Sequence, residues 1–144
     1  AKILGMKITD GAVALIARAS RFTPRVANRL LRRVRDWAQM NDKTLIDEEA
    51  AAKTLEMLEI DELGLDPHDR RILAVIIDKF SGGPVGVGTL AAAINEDKGV
   101  IEDVYEPYLM TIGLLTRTPS GRRVTDEAYK HLKKENSGQN QKLL

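Results

Sequence analysis

Two dipeptides punctuate this chain more firmly than anything else in it. Thr23-Pro24 and Asp66-Pro67 each place a capping side chain directly before a proline. An oxygen there accepts a backbone N–H of the first helical turn, and the N–H that proline lacks would have had no partner at the first helical position. Each pair therefore dictates a helix start. Behind Thr23, the residues Val26, Leu30, Val34 and Trp37 recur at helical spacing and predict a helix to about Met40. Arg25, Asn28, Arg29, Arg32 and Asp36 line its other face. Behind Asp66, the stripe Ile72, Leu73, Ile76 and Ile77 predicts a buried helix face ending near Phe80.

The same reasoning fills in the rest. Thr9 or Asp10 caps a helix to about Ser20, with Val13, Ile16 and Ala17 as its apolar face, and Asp47 caps a helix from Glu48 to Leu58 with Ala51, Leu55 and Leu58 inward. Ser81-Gly82-Gly83-Pro84 forces a turn. A short helix over 89–94, a polar turn over 95–99 and a third helix from Val100 to Ile112 follow, with Pro107 a kink or an early break. Leu114–Thr118 and Arg123–Thr125 read as strands around Pro119-Ser120-Gly121, and Asp126 caps a last helix to about Lys134. The fold class is mainly α: a small helical unit over 1–66, then helix, short helix, helix and hairpin over 67–134, the order of a winged helix. The polar tail 135–144 has nothing to bury and is expected to be disordered. Ala1-Lys2-Ile3-Leu4-Gly5 reads as the tail of a helix cut from a longer chain.

Composition removes several classes of function. The 144 residues include no cysteine, which rules out a disulfide framework or a thiolate metal site and fits a reducing compartment. No apolar run approaches the roughly 18 residues that span a bilayer. The net charge of +1 hides segregation: residues 1–40 carry a net +7 and residues 41–66 a net −7. Local placement, not total charge, has to decide what the chain binds.

The blocks Ser20 through Asp36, Asp61-Glu62-Leu63-Gly64, Gly82 through Gly86, Thr89 through Ala93, Ile101 through Leu109 and Arg117 through Gly121 follow one another along the chain. In their length and order they closely resemble the RuvB family, the bacterial motors that drive Holliday-junction branch migration. The resemblance implies a helical AAA+ lid followed by a winged-helix DNA-binding domain, the chain starting inside the lid. It also implies an intact motor that hydrolyses ATP with Mg, assembles as a homo-hexamer and works with RuvA and RuvC on duplex DNA in the bacterial cytoplasm. Three positions depart from the family pattern. Phe22 stands for a usual glycine, Ser120 for a usual wing arginine, and Val100 for a usual threonine, which weakens the expected cap of the third winged-helix helix.

Arg25 sits in the first turn of its helix, where unpaired N–H groups and a partial positive charge already favour a phosphate. The resemblance implies that it is the sensor arginine reaching the nucleotide γ-phosphate; the plain alternative is a solvated arginine on a basic face. The Gly82–Thr89 stretch lacks the Lys-Ser/Thr pair of a phosphate loop, and no Walker motif occurs in the chain, so these residues alone are not expected to hydrolyse ATP.

The third helix carries Glu102, Asp103 and Glu106, read as surface charges, and from Val100 onward no Lys or Arg. DNA is therefore expected on the hairpin wing, through phosphates and without sequence readout. Arg117 and Arg122 are the leading candidates and match the family's wing arginines; Arg123 is weaker. That expectation requires guanidiniums free of internal ion pairs. His68 and His131 lie far apart and read as surface or cap-side residues rather than ligands, and Trp37, Tyr105 and Tyr108 as core aromatics. Two rival readings of the same fold are a winged-helix transcription regulator and a winged-helix protein-interaction module.

Overall fold

The computed structural model of the chain describes residues 2–3 and 5–132. The expected helix over the last turn past Leu132 and the polar tail lie outside the described residues. The chain divides into two compact units, residues 1–67 and 68–144.

In the first unit, strands β1 (Lys2–Ile3), β2 (Met6–Ile8) and β3 (Leu45–Ile46) form a small sheet, in which β2 pairs antiparallel with β1 and parallel with β3. The helical tail expected at the N-terminus is therefore a strand; Gly5, at φ 81°, makes the turn that reverses it. Helices α1 (Asp10–Ala19), α2 (Pro24–Met40) and α3 (Glu48–Met57) start where their caps dictate. Thr9 Oγ accepts from Ala12 N at 3.2 Å, Thr23 Oγ from Val26 N at 3.4 Å and Asp47 Oδ1 from Ala50 N at 2.9 Å.

The core of this unit is built on small residues. Ala12, Ala38, Ala50 and Ala51 are fully buried beside Ile16, Leu30, Val34 and Ile46, so the helices approach closely. That choice corrects the expected face of α1. Ala12, Ile16 and Ala19 are buried, while Val13 is 40% exposed and Ala17 is exposed. The face of α1 turned into the core is thus Ala12, Ile16 and Ala19 rather than the stripe that includes Val13 and Ala17.

In the second unit, α4 (Pro67–Phe80) buries Ile72, Leu73, Ile76 and Ile77 as expected. Helix α5 (Val87–Ile94) begins two residues earlier than expected and ends at Asn95 in the left-handed conformation. The third helix begins earlier too. Asp97 caps α6 (Lys98–Val100), its Oδ1 accepting from Gly99 N at 2.7 Å and Val100 N at 3.4 Å. Val100 is thus inside the helix, the cap expected to be weak there is supplied by Asp97, and Lys98 joins the helix as its first residue. A π turn over Ile101–Tyr105 leads directly into α7 (Glu106–Thr111). The widening falls where Pro107 has no N–H to give and where its ring would crowd the carbonyl of Asp103. Pro107 therefore neither ends the helix nor breaks it.

Strands β4 (Leu115–Thr118) and β5 (Gly121–Val124) form the hairpin around Pro119-Ser120, and α8 (Asp126–His131) follows. The segment between α4 and α5 joins this hairpin as well. Val85 N donates to Arg122 O at 2.9 Å and Arg122 N to Val85 O at 2.7 Å. A Cβ on Gly83 would run into the Arg122 carbonyl, and one on Gly121 into the Val85 carbonyl, so both glycines are required by close backbone approach.

Candidate nucleic-acid interface

The hairpin register sorts the basic side chains. Residues directly opposite each other share a face, and faces alternate along each strand. Leu115 pairs with Val124 and Arg117 with Arg122, while Thr116 pairs with Arg123. Leu115 and Val124 are buried, so Arg117 and Arg122 lie on the inward face. Thr116 and Arg123 are exposed on the outward one.

Two arginines directly opposite each other repel. Glu106 sits between them, with no exposed surface at all. Arg122 Nε donates to Glu106 Oε1 at 2.5 Å and its Nη2 to Oε2 at 3.3 Å, while Arg117 Nη2 donates to Oε2 at 2.7 Å. Glu102 adds a weaker contact, 3.9 Å from Arg122. Burial by itself pushes the Glu106 carboxyl up, but the hydrogen bonds and charges of Arg122 and Arg117 together outweigh it, and the net direction is down. The hydrogen bond to Glu106 in turn holds the Arg117 proton more tightly.

Two expectations are corrected here. Glu106 is no surface charge. In a regular α-helix the residue five on from Ile101 lies about 140° round the axis. In the π turn the Glu106 N–H bonds to the Ile101 carbonyl instead, which swings Glu106 toward the buried face of Ile101. Nor is Arg122 a free phosphate ligand. Its side chain is only 12% exposed and its guanidinium is engaged by Glu106. Arg117 is intermediate between the two cases, because it gives one donor to Glu106 and remains 52% exposed.

On the hairpin's outward face and on α8 the exposed cations are Arg123 and Lys130, beside the exposed anions Asp126 and Glu127 of the first turn of α8; neither cation has an ion-pair partner among the described residues. The face of the third helix turned to solvent carries Asp103, Val104 and Pro107, with Lys98 at its start. Tyr105 and Tyr108 are half-buried, and the Tyr105 ring lies 6.2 Å from that of His68. His131 stands in the last turn of α8. Among the described residues no group of acidic or imidazole side chains comes together as a metal site.

In the other unit, Arg25 is exposed in the first turn of α2, and its side chain has no ion-pair partner among the described residues. A single arginine beside helix N–H groups fits one phosphate and cannot enclose a nucleotide. Arg21 and Phe22, just before it, have φ of 57° and 59°. Phe22 therefore holds the left-handed conformation that a glycine adopts without strain.

Two family models cover these units. One described as "RuvB AAA lid domain" matches residues 1–61, and one described as "RuvB C-terminal winged helix domain" matches residues 62–133. The chain is 58% identical over 132 residues to the Holliday junction branch migration complex subunit RuvB of Rubrobacter xylanophilus, covering 92% of this chain and 37% of that protein. It is 54% identical to the protein of the same name from Trichormus variabilis, over 92% of this chain and 36% of that one. The solved structure of the Thermotoga maritima RuvB Holliday junction branch migration motor superposes with a TM-score of 0.89 at 48% identity, covering 90% of this chain and 44% of that chain. The chain thus spans a little over a third of the length of these curated relatives.

Proposed function

The chain belongs to the RuvB family, and from that premise we propose that it is the lid and DNA-gripping portion of an ATP-driven branch-migration motor. The observation that carries the reading is the division of the hairpin: an outward face bearing Arg123 and an inward face whose charges are neutralised by the third helix. Such a wing meets DNA with a few phosphate contacts and no base-reading element. The exposed carboxylate of Asp103 keeps the third helix out of the groove, since carboxylates and phosphates repel. Arg123 and the exposed part of Arg117 take the phosphates, and Arg122 holds the strand they stand on. A motor that moves along any sequence needs this indifference.

In the intact motor, ATP with Mg supplies the energy of phosphoryl transfer. Arg25 contributes one charged donor toward the γ-phosphate, so that the angle of the lid follows the state of the nucleotide. A homo-hexameric ring working with RuvA and RuvC on Holliday junctions in the bacterial cytoplasm goes with the same reading. Among the described residues no helix is long and apolar enough to cross a membrane.

A salt titration of the chain on two duplexes of unrelated sequence tests the reading. Weak binding that falls steeply with salt and is equal on both duplexes is expected. Strong preference for one duplex indicates a transcription regulator instead, and no binding at all indicates a protein-docking module.

A further inference from the structure

We infer that Glu106 is a positioning residue for DNA: anchored by Arg122, it holds Arg117 from behind so that the remaining guanidinium donors of Arg117 face a phosphate. This rests on the reading that the wing grips DNA. Both oxygens of the buried carboxylate are in use. One accepts from Arg122 Nε at 2.5 Å, and the other accepts from Arg117 Nη2 at 2.7 Å and Arg122 Nη2 at 3.3 Å. The carboxylate is fixed at the junction of the π turn and α7, and Arg122 is tied through its backbone to Val85. It therefore cannot follow Arg117 if that side chain moves. Arginine has five N–H donors in a rigid fork, and this one commits a single nitrogen inward while remaining 52% exposed. A guanidinium held this way has already lost the rotamer freedom that a phosphate contact would otherwise cost.

The rival role for Glu106 is to mute two arginines and so weaken the grip. The two roles predict opposite signs. If Glu106 only mutes charge, Glu106→Gln adds a net positive charge and tightens binding. If it positions Arg117, the same change loosens binding, and does so only through Arg117.

The test is a double-mutant cycle on the 144-residue chain, with a short random-sequence duplex as the probe and a thermal melt of each variant. Glu106→Gln and Arg117→Ala are each expected to weaken binding several-fold, and the double variant to bind no more weakly than Arg117→Ala alone. Arg117→Lys keeps the charge but lacks the fork, and is expected to lose nearly as much as Arg117→Ala. Because position 117 is half-exposed, this variant keeps the inference open to refutation even if Glu106→Gln does not fold. Tighter binding by Glu106→Gln, losses that simply add, or wild-type affinity in Arg117→Lys would each overturn the inference. If Arg123→Ala weakens binding while Glu106→Gln does not, only the positioning role falls. If Arg117→Ala and Arg123→Ala both bind as the unaltered chain does, the wing reading falls and takes this inference with it.

Discussion

A carboxylate with no exposed surface is tolerated only because two guanidiniums meet it. Taking away one partner of a buried ion pair leaves the other charge desolvated and uncompensated, at a cost of about 3–5 kcal/mol. Glu106→Ala and Arg122→Ala are accordingly expected to destabilise the second unit by about that much, read as a lower midpoint in urea unfolding. Arg122→Ala thus reports on stability first, a different outcome from the loss of one phosphate contact expected of a free arginine. The pH dependence has a definite sign. The native Glu106 carboxyl lies below its ordinary value of 4.5, so at acid pH the unfolded chain binds more protons. The stability it contributes is complete above that ordinary value and lost as pH falls through the lowered native one. Glu106→Gln should flatten this acid limb, and an unchanged limb would show that the pair contributes nothing.

Arg25 belongs to the same scale. In the full-length motor, Arg25→Ala is expected to impair ATP hydrolysis while leaving the fold of the lid unchanged, and normal turnover would retire the sensor role. The fates of these residues differ in how readable they were. That Arg117 and Arg122 point inward follows from alternation with Leu115 and Val124, a period-two pattern plain in the sequence. The burial of Glu106 was not readable by helical period, because a π turn moved it.

At the level of elements, capping chemistry was the most legible signal. Thr9, Thr23 and Asp47 all bond the N–H that their position requires, whereas at α8 the cap is Thr125, one residue before the expected Asp126. Strands of two or three residues were not legible, since so short a stretch carries no period; β2 and β3 are held by pairing and by the buried side chains of Ile8 and Ile46. Helix ends show a shared device. At α2, Lys43 N bonds Ala38 O and Asp42 N bonds Gln39 O; at α3, Ile60 N bonds Leu55 O and Glu59 N bonds Glu56 O. This six-to-one, five-to-two arrangement puts Asp42 and Glu59 in the left-handed region, at φ 54° and 56°. At the end of α7 the corresponding position is Gly113. Asp42 also sets a negative charge at the negative end of the α2 dipole. Asp42→Gly is expected to raise stability by about 0.5–1 kcal/mol, the relief of strain exceeding the lost chain entropy. A fall in the thermal midpoint would contradict this account of the helix end.

For the whole molecule, charge arrangement matters more than its sum. A net +1 conceals a basic α2, whose exposed face carries Arg25, Arg29, Arg32 and Arg33, and an acidic stretch from Asp42 through Asp66. In the second unit the acidic third helix is turned partly inward to neutralise two wing arginines, which leaves few outward cations for DNA. Few contacts mean weak binding and easy release. The order of helices and the hairpin were legible from caps, glycines and prolines. Which basic side chains face outward depended on strand register and on a helix that widens by one residue.

The most direct measurement is the slope of log affinity against log salt for Arg123→Ala beside the unaltered chain, on two duplexes of unrelated sequence. The account predicts weaker binding on both and a slope shallower by about one. Unchanged affinity and slope, or a loss confined to one duplex, would contradict it.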